Sequence, residues 1–264
     1  MIRLVISDME GTIIGRNEQV PAEAAEFISN LEAHGILFTI ATGRSEGYMQ
    51  SKIKQMGIRH PYIATNGATI MNGSCAVMRK QFSIAPLRQV LEHCRELGLS
   101  VMYTFMGEER TEFLSDWVLR EGEKRGRPYT AEPFTEEEWA CLKADKILIM
   151  DPARSGAVFE VEQLLNAVES DAVYVRYRDK ALELNEKTAN KAAAIEKLIQ
   201  ILQVPMQEVL VIGDDDNDIE MFSAGCKSAA VGNVSENARP FADYVCRAAL
   251  FDGVKEAIAH FCRI

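Results

Sequence analysis

Apolar residues in this chain follow two periods in turn, and their alternation sets the fold expectation. Leu4, Val5 and Ile6 form a short run in "RLVIS" that stops at Ser7 and Asp8 and is closed by Gly11, the pattern of a buried strand leaving a sheet. In "PAEAAEFISNLEAHG", Ala24, Phe27, Ile28 and Leu31 recur on one helical face, with Gly35 as the stop. Strand "ILFTIA", helix "SEGYMQSKIKQMG" and strand "PYIAT" follow. This βαβαβ rhythm predicts a parallel sheet with right-handed crossovers. Two apolar runs around Asn72-Gly73 in "ATIMNGSCAVM" predict a hairpin closed by a type I′ turn, with positive φ at both central residues.

The middle third changes character. Helix "APLRQVLEHCRELG" and strand "LSVMYTFM" lead to a charged helical stretch from Phe113 to Lys124 and a polar loop, "RGRPYTAEPFTEEE". Strand "KILIMD", helix "GAVFEVEQLLNAVES" and strands "DAVYVRYRD" and "ALELNE" complete it. The expectation is an α/β chain: a parallel-sheet core of residues 1–83 and 185–264, and an inserted α+β module over 84–184. The core rhythm resumes in helix "NKAAAIEKLIQIL", where Ile195, Leu198, Ile199 and Leu202 share a face. Strand "EVLVIG" then runs into "DDDND", followed by helix "IEMFSAG", strand "SAAVGN" and a closing helix "DGVKEAIAHF".

Composition narrows the partners. The chain has 264 residues, 47% hydrophobic, with a formal net charge of −10, which argues against a general nucleic-acid binder because such proteins need a basic face. A small anionic substrate fits if a metal ion or a few lysines offset the field. No apolar stretch is long enough to cross a bilayer, and the first strand begins without a leader-like run, so no membrane partner is expected. The 6 cysteines are scattered without a CxxC pair, which reads as reduced thiols in the cytoplasm. The 4 histidines show no metal spacing. Scattered apolar residues specify no oligomeric state.

In an open parallel sheet, ligands bind beyond the carboxyl ends of the strands. Those ends carry Asp8 with Glu10, then Thr42, then Asn66, and then Asp214, Asp215, Asp216, Asn217 and Asp218. A single acidic turn is ordinary loop punctuation. Two acidic strand ends converging with a Thr and an Asn on one edge are not, because carboxylates packed together repel unless a cation holds them. A donor set of oxygens alone points to Mg²⁺.

"DMEGT", "TGR", "NG", Lys191 and "GDDDND" resemble, in order and spacing, the four signature segments of the haloacid dehalogenase (HAD) superfamily, and most nearly its Cof-type subfamily IIB with a C2B cap. The resemblance implies a Rossmann-like HAD core, a cap over 84–184 that closes over the substrate and selects its leaving group, and hydrolysis of a small phosphorylated metabolite such as a sugar phosphate. It makes Asp8 the nucleophile that becomes an aspartyl-phosphate, and Glu10 the general acid/base, whose carbonyl also meets Mg²⁺. Thr42, Gly43, Arg44, Asn66 and Lys191 would bind the phosphoryl group or substrate. Asp214 would join Asp8 and Glu10 at the metal, supported by Asp218 and Asn217. Asp215 and Asp216 read as solvated loop charges.

Two positions depart from the family pattern. Ala192 replaces the Gly that often follows the lysine, a benign change within a helix. Glu10 stands where these phosphatases usually have Asp, and its extra methylene adds roughly 1.5 Å of reach. Positioned acid/base catalysis supplies about 10²–10⁴ in rate, so the expectation is an active but slow phosphatase. The same residues also fit a phosphomutase or phosphotransferase, a phosphorylatable receiver-type module, or a non-catalytic binding protein.

Overall fold

The first strand, β1 (Leu4–Ser7), is buried on both faces and sends its side chains alternately to two cores. Covered on both sides, such a strand needs an unbroken apolar run rather than an alternating one. The structure is a computed structural model describing residues 1–124, 126 and 128–262. It divides into two compact units, one of residues 1–79 and 189–264, the other of residues 80–188.

In the first unit, β1 is followed by α1 (Ala24–Ala33), β2 (Leu37–Ile40), α2 (Glu46–Met56), β3 (Tyr62–Ala64), β4 (Thr69–Asn72) and β5 (Cys75–Arg79). The second unit runs β6 (Phe82–Ser83), α3 (Arg88–Glu96), β7 (Ser100–Phe105), β8 (Glu108–Thr111), α4 (Asp116–Lys124), α5 (Glu136–Cys141), β9 (Lys143–Ala144), β10 (Lys146–Met150), α6 (Ala157–Asn166), β11 (Ala172–Tyr177) and β12 (Ala181–Glu186). The chain returns to the first unit with α7 (Lys191–Leu202), β13 (Val209–Gly213), α8 (Ile219–Phe222), β14 (Lys227–Ala230), β15 (Tyr244–Val245) and α9 (Leu250–Cys262).

Among the described residues, the first unit's main sheet has the order β15-β14-β13-β1-β2 and is parallel throughout. Val5, Phe38, Ile40, Leu210 and Ile212 face α1, α2 and α9, meeting Ile28, Leu31, Met49, Val254 and Ile258. Leu4, Ile6, Val209 and Val211 face the other way, meeting Ala194, Ile195, Leu198, Met221 and Phe222 of α7 and α8. Each such side chain, fully buried, contributes about 1.5–3 kcal/mol. All strand carboxyl ends of this layer therefore open on one edge.

Two local expectations are corrected. β3 joins the parallel layer only through the bridge Ala41–Ile63, with Thr42 N donating to Ile63 O at 3.0 Å, and otherwise pairs antiparallel with β4 in a β3-β4-β5 sheet. The hairpin exists, but Asn72 pairs with Cys75, so its central residues are Gly73 and Ser74. Of these only Gly73 has positive φ (+59°), the requirement of a type II′ turn rather than type I′. Beyond the turn the register shifts again, between Ile70 and Met71.

The second unit is an antiparallel sheet, β11-β12-β10-β7-β8, with α3 and α6 over one face. Val90, Leu91, Val158 and Val161 of these helices meet Val101, Ile147, Ile149, Leu182 and Leu184 of the strands. Boundaries expected at 83/84 and 184/185 move to 79/80 and 188/189, because β6 pairs with β9 and β12 continues to Glu186 beside β11. The end of the stretch read as polar loop starts α5, capped by Thr135 and Glu138 in a capping box with Trp139 buried behind it. Arg125 and Arg127 of that stretch lie outside the described residues. Among the described residues no helix is long and apolar enough to cross a membrane.

Candidate active site

Where β1 ends, Asp8 stays in the ladder by one more bond, its N donating to Ile212 O at 2.7 Å, and its carboxylate emerges at the carboxyl edge of the sheet. Lys191 reaches the same place as the first residue of α7, a helix whose start is fixed by the Asn190 side chain accepting from Ala193 N at 2.7 Å. The Lys191 side chain is 1% exposed, and its Nζ donates to Asp8 Oδ1 and to Asp218 Oδ1, each at 2.6 Å. Asp218 uses its second oxygen to accept from Asp214 N at 2.8 Å and Asp215 N at 3.2 Å, which fixes the "GDDDND" loop after β13. Asp214 in turn accepts from Thr12 Oγ1 at 2.7 Å and from Asn233 Nδ2 at 3.4 Å. Gly11, at φ +83°, is required where it stands, since a side chain there would strike the Asp214 carboxylate.

Electrostatics separate these groups. Burial pushes the Asp8 carboxyl well above its ordinary value; Lys191 opposes the shift, while Asp218 and Glu10 add to it. Burial also raises Asp214, to about 7, with Thr12's hydrogen bond working against burial and the Asp218 and Asp215 charges reinforcing it. For Lys191 burial alone would disfavour the ammonium, but Asp218 and Asp8 outweigh it and the net direction is upward. One ammonium thus serves a crowded set of acids. Oxygen atoms of Asp8, Asp214 and Asp218 lie within 4.8 Å of one another. All-oxygen donors, two of them made less acidic by burial and by neighbouring carboxylates, fit a hard divalent cation.

A second cluster adjoins the first. Thr42, fully buried after β2, donates its hydroxyl to Glu10 Oε2 at 2.8 Å and accepts from Arg44 N at 3.1 Å. Arg44 Nε donates to Glu10 Oε1 at 3.1 Å, and its Nη2 to Glu18 Oε1 at 3.4 Å. Gly43 lies against the Asn66 side chain so closely that a Cβ there would come within 2.8 Å of Asn66 Oδ1. Asn66, in the left-handed region at φ +49°, donates its N to Thr42 O at 3.0 Å and accepts from Asn217 Nδ2 at 3.4 Å.

The structure therefore gathers Asp8, Lys191, Asp214 and Asp218 at one point, and links Thr42, Arg44 and Glu10 beside it. Asn217 reaches this second cluster through its amide nitrogen, which donates to Asn66 Oδ1. Asp216 is an exposed loop charge, as expected, and it also accepts from Ser235 Oγ at 2.6 Å and Asn237 Nδ2 at 2.9 Å, bonds that hold its carboxyl below the ordinary value. Sequence reasoning missed Thr12 and Asn233. Asn233 also donates to Gly11 O at 2.8 Å, joining the two acidic loops. It follows "SAAVG", so a fifth strand end ending in a polar residue was the available signal.

Known proteins resemble the chain along its length. The sequence profile of the haloacid dehalogenase-like hydrolases matches residues 5–258. A phosphoglycolate phosphatase of Methanopyrus kandleri is 28% identical over 255 residues, covering 96% of this chain and 94% of that protein. A 5-amino-6-(5-phospho-D-ribitylamino)uracil phosphatase of Bacillus subtilis is 25% identical over 260 residues, with coverages of 98% and 96%. The solved structure of a HAD subclass IIB sugar phosphatase superposes with a TM-score of 0.82 at 20% identity, covering 99% of this chain and all of that one, so the two share a fold. With its profile match spanning nearly every residue and the signature carboxylates converging at one sheet edge, the chain belongs to the haloacid dehalogenase-like hydrolases, Cof-type.

Proposed function

We propose that this hydrolase is a phosphatase for small phosphate monoesters, sugar phosphates foremost, working through an aspartyl-phosphate on Asp8. The observation that carries the reading is the buried Asp8–Lys191–Asp218 array, with Asp214 beside it, at the carboxyl edge of a parallel sheet. Relatives named as phosphatases of phosphorylated small molecules support it. An Asp8 oxygen attacks phosphorus in line with the leaving oxygen, the P–O bond to the alcohol breaks, and Glu10 gives that oxygen a proton. Water then attacks the same phosphorus, Glu10 takes its proton, and the bond to Asp8 breaks to release inorganic phosphate. Lys191 and Thr42 hold the phosphoryl oxygens, whose charge must be balanced more than their bonds rearranged. Asp8 and Asp214, with the Glu10 carbonyl, would hold Mg²⁺, with Asp218 and Asn217 supporting them. Bound there, the ion supplies positive charge that screens Asp8 from an anionic substrate. The unpaired cysteines suit a cytoplasmic setting.

A phosphate-release screen over sugar phosphates, nucleotides and cofactor phosphates with Mg²⁺ tests the proposal, with Asp8→Asn alongside. Release by the native protein and none by the variant is expected. Activity persisting in the variant, or an isomerised sugar phosphate in place of inorganic phosphate, overturns it.

A further inference from the structure

We infer that Arg44, braced by Glu18 and Tyr48, is a positioning residue for Glu10, and that it decides which oxygen of Glu10 carries the catalytic proton. The inference rests on the phosphatase reading above and extends it.

Glu10 is held by two donors of different kinds. Arg44 Nε lies 3.1 Å from Oε1, and Thr42 Oγ1 lies 2.8 Å from Oε2. A guanidinium has donors only, so Oε1 must remain an acceptor in every protonation state. A proton on Glu10 therefore sits on Oε2. That is also the oxygen facing Thr42, whose hydroxyl has a single proton. Arg44 N donates to Thr42 Oγ1 at 3.1 Å, so that proton points away from Arg44 N, toward Glu10. When the Thr42 hydroxyl donates its hydrogen bond to a phosphoryl oxygen instead, Oε2 is released to carry the proton that the leaving oxygen receives. Oε1 stays on Arg44 throughout. Free in the pocket, a glutamate one methylene longer than aspartate would sample many placements; with one oxygen fixed, it samples few.

Arg44 is itself held by Glu18 and Tyr48. Its Nη2 donates to Glu18 Oε1 at 3.4 Å, and its guanidinium lies 4.8 Å from the centre of the Tyr48 ring. Tyr48 Oη donates to Glu18 Oε2 at 2.6 Å, and Lys52 Nζ donates to the Glu18 carbonyl at 2.6 Å. Glu18 adopts φ +56°, an uncommon conformation for a residue other than glycine. The slow turnover expected of a glutamate at this position does not follow when the added length is taken up by an ion pair.

The test uses leaving groups that differ in their need for a proton. p-Nitrophenyl phosphate releases a stable phenolate and needs little general acid; the sugar phosphate hydrolysed fastest in the screen above needs one. Arg44→Gln and the near-isosteric Glu18→Gln should lower kcat/KM for the sugar phosphate about tenfold more than for p-nitrophenyl phosphate, a fraction of the roughly 10²–10⁴ that a placed acid supplies. In a Glu10→Asp background the shorter side chain no longer reaches Arg44, and the selective loss disappears. Equal losses on both substrates would mean Arg44 and Glu18 merely support the fold, and would overturn the inference. A selective loss that persists in the Glu10→Asp background and lies in KM would make Arg44 a substrate contact, and also overturns it. A native protein inactive on both substrates, or an active Asp8→Asn variant, instead removes the phosphatase reading and the inference with it.

Discussion

Asp214→Asn offers a direct check on the electrostatics of the carboxylate cluster. Burial raises the Asp214 carboxyl from 3.8 to about 7. In metal-free protein the native state then keeps a proton that the unfolded chain releases between those values. Stability from this group is complete below about pH 4, declines as pH rises to about 7, and is level beyond. The displacement corresponds to about 4 kcal/mol at most, and about 2–4 kcal/mol once partial access of water is counted. Asparagine cannot ionise and still accepts from Thr12, so the variant lacks this decline. Without metal it should match the native protein near pH 4 and exceed it near pH 8. Asp8 contributes in the same direction to both proteins, so their difference isolates position 214. Mg²⁺ at 100 times its dissociation constant restores about 2.7 kcal/mol to the native protein and little to the variant. The measurement is urea unfolding at pH 4 to 8, with EDTA or with Mg²⁺. It is best followed by circular dichroism, since both tryptophans, Trp117 and Trp139, lie in the second unit and report poorly on the first. Parallel pH profiles for the two proteins would refute the reasoning, as would a variant that Mg²⁺ stabilises fully.

Lys191→Met leaves two buried carboxylates without their shared ammonium; it should cost about 3–5 kcal/mol near pH 8, less near pH 5 because burial shifts Asp8 toward its neutral form as pH falls, and lower phosphate release by about 10²–10³. Urea midpoints at the two pH values and a phosphate assay check both parts. Asn233→Ala removes the donor to Gly11 O and to Asp214, the proposed metal ligand, while leaving every proposed ligand in place, and should weaken Mg²⁺ binding about tenfold or more in calorimetry. Thr135→Ala breaks the capping box of α5 and should lower stability by about 1 kcal/mol, read from tryptophan fluorescence because Trp139 lies in that helix.

The main features were legible where local pattern and final structure agree. β1 and β13 read as strands because their apolar runs are unbroken, and Asp8 and Asp214 stand out because those runs stop at them. β3 was harder: three buried residues look alike whether their neighbours run parallel or antiparallel, and only the pairing with β4 shows which. α5 was hidden by its three leading glutamates, although Thr135 and Glu138 spell a helix start at the right spacing. The bracing of Arg44 was not legible at all. Glu18 comes from the loop after β1 and Tyr48 from α2, and no period along the chain relates them.

β1, between β13 and β2 in the core sheet, draws its neighbours from distant parts of the chain: β2 begins at Leu37, but β13 begins only at Val209. On a ribosome adding roughly 5–20 residues per second, one flank of β1 waits on the order of ten seconds for its partner. The intervening segment is contiguous and has a core of its own, so residues 80–188 can fold first while the amino-terminal strands remain unfinished. Because 183 residues separate Asp8 from Lys191, a reactive centre arises only when the last third of the polypeptide has been made. Chains that stop before β13 leave that edge of β1 without its strand partner, the kind of open edge on which other chains can pair.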